Sequence, residues 1–389
     1  MGESFSVLIR VHPCQFLVAF ADNRELTTDS RTTYHHFLSM RHRRRTLWVT
    51  LAVLIVLGAI GFAVFLRKRA APDAVRLLPN SDAILYVNLE PIRLMTDFGK
   101  NPPKNREPEY EEFARQTGFE FERDLDHAAI AIHYGGSPLN PSSETRYSEI
   151  MQGRYDGQRV TDYLRKLSRQ TERYKDFDIF IIPLEGRTLR VVLLGWDTAA
   201  ASNTEGSDAI HGMIDRYKQA ALPFAGPDLA RDYYSRVPLG SVVWTIARIP
   251  STAKPQDRSE LLLPGSWSSL LPCGSTVIAS ARPLNEVYLR ANVILQNETE
   301  AGNFTGRVNT FLAIFKTINI SMDGGGPDPD VKKAFDSFQV RQTKNEAVLT
   351  ASVPFAFFKK IVSEAPVDFS SDTTKPPVQP SPAATDKPK

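Results

Sequence analysis

Apolar and polar positions divide this chain of 389 residues into stretches of different character. An unbroken apolar run without a charged side chain fills residues 47–66, whereas residues 72–365 mix short apolar runs with amphipathic stretches. The last stretch, residues 366–389, is polar and rich in proline, and it has too few large apolar side chains to offset the entropy of ordering the chain. We therefore predict a folded part that lies between a transmembrane segment and a disordered Pro-rich tail.

The first half of the folded part shows strand and helix patterns in turn. A strand is predicted at residues 82–89 (DAILYVNL), and EPEYEEFARQTGF predicts a helix that stops at Gly118. Further strands are predicted at HAAIAIHYG and TRYSEIMQG. YDGQRVTDYLRKLSRQ carries apolar residues three and four apart, which is typical of an amphipathic helix. FDIFIIPLEGRTLRVVLLG predicts a hairpin with Glu185 and Gly186 at its turn.

A similar order of elements returns in the second half. STVIASARPLNEVYLRANVILQ predicts strands, ETEAGNFTGRVNTFLAIFKTI a long helix, FDSFQVRQTKNEAVLTASV a hairpin with Lys344 and Asn345 at its tip, and PFAFFKKIVSE a closing helix. The predicted fold class is therefore α+β rather than a doubly wound parallel sheet. We expect two α+β units, at residues 72–250 and 251–365, with antiparallel sheets and helices packed on one face.

The apolar run at residues 47–66 has the length of a membrane span. Twenty residues in a helix cover about 30 Å, which is the thickness of a bilayer core. A cleaved signal peptide is the alternative, because Gly61-Phe62-Ala63 has the small residues of a cleavage site, but the apolar run continues past it to Leu66. We predict an uncleaved single-pass anchor whose partner is the lipid bilayer.

Basic residues beside the span predict its orientation. Close to the span, five arginines lie before it, at residues 31–45, and four basic residues lie after it, at residues 67–76. Four of the five arginines are packed within residues 41–45 at the entry of the helix. This favours residues 1–46 as a short cytoplasmic segment and places the C-terminal part outside a bacterial cytoplasmic (inner) membrane. A start of translation at Met40 would give the order of a bacterial signal anchor; the alternative is that residues 1–39 form a cytoplasmic sensor or docking tail.

Charge and cysteine content narrow the function classes. Residues 70–389 hold 37 basic and 40 acidic side chains. The sequence pI of about 8.7 therefore comes from the basic residues that flank the span. This acidic balance argues against a nucleic-acid partner. Cys14 and Cys273, the two cysteines, would lie on opposite sides of the bilayer, which predicts no disulfide framework and no cysteine metal site.

Four stretches carry a resemblance to other proteins. LLPNSDAILYVNLEPIRLM, QTGFEFERDLDHAAIAI, EIMQGRYDGQRVTDYLRK and VLTASVPFAFFKKIV resemble a group of uncharacterised bacterial membrane-anchored proteins that have a large extracytoplasmic α+β domain. The resemblance covers most of residues 75–365 and rests on turns and strand starts. It implies a cellular place and an architecture, and it assigns no catalytic residue.

Three histidines and an acidic run are the candidates for chemistry. His127 and His133 share one side of a predicted strand with alanines but lie about 20 Å apart, too far for one metal, and His211 stands alone on a helix. We therefore interpret these histidines as surface residues or as residues whose ring nitrogens are hydrogen-bonded. The alternating acidic residues of EFERDLD could attract calcium, but a turn into the next strand is favoured; they are Glu120, Glu122, Asp124 and Asp126.

Other motifs are interpreted as structural. Asp328 is predicted to cap a helix after a glycine-rich loop that lacks the ending of a phosphate loop. Cys273 is predicted to be an inert loop thiol. The formal glycosylation sequons begin at Asn297, Asn303 and Asn319, and they carry no meaning in a bacterial protein.

These observations predict a non-enzymatic envelope protein with a binding or scaffold domain. Its partner would be an unknown envelope protein or ligand, without a cofactor or metal, and no catalytic residue is assigned. Two other functions stay open. One is a membrane-tethered envelope hydrolase with a site built from distant carboxylates, and the other is a transmembrane signalling protein that uses residues 1–46.

Overall fold

A computed structural model describes two compact units, residues 1–65 and residues 66–389. The described residues are 53–58, 61, 70–96, 106–134, 145–184, 186–219, 226–251, 271–317 and 329–356. In the first unit, residues 53–58 and 61 are helical. Among the described helices, none is both long and apolar enough to cross a membrane. Most of the predicted span at residues 47–66, all of residues 1–46 and the predicted tail at residues 366–389 lie outside the described residues.

The second unit is built around a single twelve-stranded antiparallel sheet. Its order is β11-β12-β10-β9-β8-β1-β2-β3-β7-β6-β5-β4. The strands are β1 (Ala83–Asn88), β2 (Leu125–His133), β3 (Arg146–Gly153), β4 (Gln170–Tyr174), β5 (Phe177–Leu184), β6 (Arg187–Leu193), β7 (Thr198–Ser202), β8 (Val243–Arg248), β9 (Thr276–Pro283), β10 (Val287–Ile294), β11 (Gln339–Thr343) and β12 (Glu346–Val353).

Short helices connect many of these strands. The helices are α1 (Asp73–Leu77), α2 (Leu89–Thr96), α3 (Pro108–Thr117), α4 (Phe121–Asp124), α5 (Gly157–Leu167), α6 (Asp208–Lys218), α7 (Asp228–Tyr233), α8 (Glu298–Thr317) and α9 (Pro329–Asp336), with a 3-10 turn at Tyr234–Arg236. Asp156 caps α5, because its carboxylate accepts hydrogen bonds from the backbone N–H groups of Gln158 and Arg159. Gly118 ends α3 in the left-handed conformation, with a φ of 74°.

The predicted α+β class with antiparallel strands is confirmed, and the sheet joins the two predicted units. The boundary near residue 250 falls between β8 and β9, and these strands pair with each other. β8 also pairs with β1, which in turn pairs with β2. The two predicted segments therefore contribute to one continuous sheet.

One side of the sheet, called the core face, holds a large hydrophobic core. Alternation along β1 directs Ile84 and Tyr86 to this face. Helices α1, α6 and α7 pack on it, and their buried contacts include Val75, Ile214 and Leu229. The core face is thus covered by its own set of helices.

The opposite side, called the cavity face, is covered by different helices. Val160 of α5 packs there against Phe180 and Ala201, and Phe304 of α8 packs in a cluster with Val293. The prediction of helices on one face is therefore wrong. Both faces of a wide sheet carry apolar residues, so both need a cover that excludes water.

Trp244 gives a direct test of the core face. Its side chain is 2% exposed and its ring stacks on Tyr86 at a centroid distance of 5.4 Å. We expect Trp244→Ala to lower the free energy of unfolding by about 3–5 kcal/mol, because the substitution leaves a cavity beneath the central strands. Denaturant unfolding of the full chain, followed by far-UV circular dichroism, measures the change.

Trp196 is the matched control, since it is 79% exposed in the turn between β6 and β7. Trp196→Ala should change the free energy of unfolding by less than about 0.5 kcal/mol. Equal losses for the two variants would contradict the described packing of the core face.

Candidate functional site

Two cavities open on the cavity face. The larger, of about 480 Å³, lies between α8 and strands β8, β9, β10 and β12. Thr245, Ala279 and Ala291 stand side by side across three paired strands on its floor. Phe304 and Val308 of α8 contribute to its walls. The cavity exists because three small side chains in one row do not fill the space beneath the helix.

The larger cavity is apolar apart from a few polar groups. The hydroxyl oxygens of Tyr134 and Thr245 are buried and have no hydrogen-bond partner among the described residues. Burial raises the pKa of the Tyr134 hydroxyl above its ordinary value, so this group stays neutral. Both hydroxyls can therefore donate a hydrogen bond to an acceptor on an otherwise apolar molecule.

The smaller cavity, of about 370 Å³, lies between strands β3, β6 and β7 and helices α3 to α5. Ala199 and Ala201 of β7 contribute to its floor. The cavity is rich in aromatic side chains: Phe113, Phe119, Phe121, Tyr147 and Tyr155. Neighbouring rings are in contact, with centroid distances of 5.4 Å between Phe119 and Phe121 and 6.5 Å between Phe119 and Tyr155.

Glu149 is the acidic side chain in the lining of the smaller cavity. It lies in the middle of β3, between Ile130 of β2 and Ala201 of β7 on the paired strands. No hydrogen bond or ion pair joins its carboxyl group to another of the described residues. Its side chain keeps some accessible surface because it faces the cavity, and burial raises its pKa above the ordinary value.

The acidic run singled out from the sequence does not form a metal site. Residues 121–124 form helix α4 instead of an extended stretch, so the carboxylates do not line one face. Nearby arginines pair with them: Arg106 with Glu120 and Glu122, Arg123 with Glu120 and Asp124, and Arg93 with Asp126. Within the described parts of the chain, no group of acidic, histidine or cysteine side chains could hold a metal ion.

The three candidate histidines are separated in the fold. His127 and His133 both lie on the core side of β2, where Nδ1 of His127 is 3.0 Å from the Tyr86 hydroxyl. His211 on α6 does not stand alone: its Nε2 is 2.7 Å from a Glu172 carboxylate oxygen, and its ring stacks on Tyr174. Sequence spacing gave no indication of this pair, because Glu172 lies in β4, 39 residues before His211.

A hydroxyl and an imidazole do approach each other at His133. Its Nε2 is 3.3 Å from the Ser148 hydroxyl, which is 3.0 Å from the Ser202 hydroxyl. Ser148 has no exposed surface, and burial lowers the pKa of His133. A substrate cannot reach this serine in the described fold, so the arrangement is a buried hydrogen-bond chain.

The remaining predicted residues have structural positions. Cys273 is half-buried in the turn before β9 and forms no disulfide bond. Asn297 precedes α8, and its side-chain oxygen accepts a hydrogen bond from the backbone N–H of Glu300 at 2.9 Å. Asn303 is exposed within α8, whereas Asp328 and Asn319 lie outside the described residues.

Comparisons with known proteins identify no family for this chain. No protein-family model matches the chain, and no curated protein matches it. Solved structures of TP0453 are similar: crystal form III has a TM-score of 0.44 at 11% identity and covers 75% of this chain and 98% of that one. Crystal form IV has a TM-score of 0.41 at 9% identity, covering 75% and 97%. Similarity at this level carries no argument about function.

Proposed function

We propose that this chain is a non-enzymatic binding protein of the bacterial envelope. Residues 47–66 anchor it in the cytoplasmic membrane, and the α+β unit outside the membrane holds small apolar molecules. The observation that carries the proposal is the pair of cavities, of about 480 and 370 Å³, on one face of the sheet. Apolar cavities of this size with a few polar groups are typical of ligand sites.

The energetic cost of the cavities supports a binding role. A protein interior is normally packed as densely as an organic crystal, and a residual cavity costs stability in proportion to its volume. Larger side chains at Ala201 or Ala279 would occupy part of this space. An apolar ligand would supply the missing contacts and release the water in contact with apolar walls.

The polar groups support binding rather than catalysis. Glu149 faces apolar and aromatic neighbours, and the free hydroxyls of Tyr134 and Thr245 belong to the other cavity. Catalytic sites are commonly built from several side chains that converge on one reacting atom. The described groups are instead suited to orienting one polar end of an apolar molecule.

Photoaffinity labelling tests the binding proposal. We expect a diazirine derivative of octan-1-ol, mixed with the full chain in detergent, to label peptides that line both cavities. Ala279→Phe should weaken labelling of the larger cavity by about tenfold or more, which corresponds to a loss of about 1.4 kcal/mol in binding. Ala201→Phe should do the same for the smaller cavity. Mass spectrometry of the digested protein locates the labelled residues.

Ala313→Phe is the matched control, because it makes the same substitution at an exposed position of α8. It should leave labelling of both cavities unchanged. Labelling that is spread over the surface, or that is insensitive to Ala201→Phe and Ala279→Phe, would rule out the proposed ligand cavities.

Protease accessibility tests the proposed location. With residues 41–45 on the cytoplasmic side, protease added to spheroplasts should digest the C-terminal unit. The intact mass of the untreated protein gives the start of translation, and a start at Met40 would exclude a cytoplasmic sensor made of residues 1–39. Protection of the C-terminal unit until the membrane is permeabilised would contradict the proposed topology.

A further inference from the structure

We propose that the smaller cavity binds an apolar cation, such as an alkyl amine or an alkyl quaternary ammonium compound. This inference rests on the proposed function and specifies the ligand class of one of its two cavities. The observation behind the inference is that Glu149 and a group of aromatic side chains line the same apolar cavity.

The charge of the cavity is the first argument. A buried carboxylate is normally matched by a cation or by several hydrogen-bond donors. Glu149 has neither among the described residues, and its neighbours across the paired strands are Ile130 and Ala201. A cationic group on the ligand would form a charge-assisted contact with this carboxylate in an environment that water screens little.

The aromatic wall is the second argument. Phe113, Phe119 and Phe121 form a contiguous group, with centroid distances of 6.1 Å between Phe113 and Phe119 and 5.8 Å between Phe113 and Phe121. Tyr155 extends this group beside Phe119. Ring faces attract cations, and aromatic cages are a recurring way to recognise quaternary ammonium groups. An anionic head group would be repelled by both features.

The larger cavity provides a contrast within the same molecule. Its unpaired polar atoms are the hydroxyl oxygens of Tyr134 and Thr245, which carry no negative charge. A preference for cations should therefore appear in the smaller cavity alone. This difference makes the larger cavity an internal control in each binding experiment.

Competition against the photoaffinity probe tests the inference in the full chain. Octyltrimethylammonium should displace the diazirine alcohol from the smaller cavity at a concentration about tenfold lower than octan-1-ol does, and octanoate should be the weakest competitor. In the larger cavity, octyltrimethylammonium should have no such advantage. All three competitors have eight-carbon chains, so the comparison isolates the head group.

Glu149→Gln removes the charge while keeping the shape of the side chain. In this variant octyltrimethylammonium should lose its advantage over octan-1-ol in the smaller cavity, whereas competition by octan-1-ol should stay unchanged. Glu111→Gln, at an exposed position of α3, is the matched control and should keep the advantage. A cation preference that survives Glu149→Gln would overturn the inference.

The pH dependence gives a second test that does not require a variant. Octyltrimethylammonium carries a fixed charge, so its affinity should rise with pH as Glu149 loses its proton, over a range above the ordinary pKa of a glutamate. The other titratable side chains that line this cavity are Tyr147 and Tyr155, and burial raises the pKa of Tyr155. A cation affinity that is constant with pH would contradict the role of Glu149.

Stability measurements test the charge state of Glu149 independently of any ligand. Its pKa is raised in the folded state, so its contribution to stability is complete at low pH and is lost as the pH rises through the folded pKa. Glu149→Gln should therefore raise the unfolding temperature more at pH 8 than at pH 4. Equal effects at the two pH values would show that the fold does not disfavour the charged form of the carboxyl group, and would overturn the inference.

The outcomes separate the two proposals. Failure of the probe to label either cavity would remove the proposed function together with this inference. Specific labelling of both cavities, with equal displacement by octan-1-ol and octyltrimethylammonium, would leave the binding function standing and overturn only the cationic ligand class.

Discussion

The alternation of side chains in one continuous antiparallel sheet is the constraint on which the rest of this fold depends. Pairing of β8 with both β1 and β9 joins the two halves of the chain, and each strand then directs successive side chains to opposite faces. Tyr86 and Trp244 pair on the core face, whereas Leu85 and Thr245 pair on the cavity face. A shift of one residue in any strand would exchange these faces, so the buried core fixes the register that forms the cavities.

The two faces of the sheet differ in the size of the side chains that pack beneath the helices. On the core face large side chains such as Ile84, Ile150 and Trp244 are almost fully buried beneath three short helices. On the cavity face, alanines occupy several central positions below α5 and α8, which leaves space that these helices do not fill. The largest buried cluster therefore lies on the core face, and the smaller clusters of the cavity face border the two cavities.

The sequence predicted many of the elements, but not their assembly. The strand at residues 82–89 and the hairpin of β5 and β6 were predicted correctly because alternation and turn residues are local signals. β4, β7 and β8 were not predicted, and the continuous sheet depends on β8, whose partners are distant in sequence. The covering of both faces was missed for the same reason. The predicted transmembrane segment remains a prediction, since most of residues 47–66 lies outside the described residues.

Glu149 could have been noticed as an acidic residue in a strand that is otherwise largely apolar on the same side. Its significance comes from comparison with Glu122, a buried acid, which pairs with Arg106 at 3.4 Å and accepts a hydrogen bond from the Tyr110 hydroxyl. The fold therefore does place a cation beside a buried carboxylate where the role is structural. At Glu149 the paired strands present alkyl side chains and the helices present aromatic rings. An acid kept without such a partner costs stability, and a ligand that neutralises it recovers that stability as binding free energy.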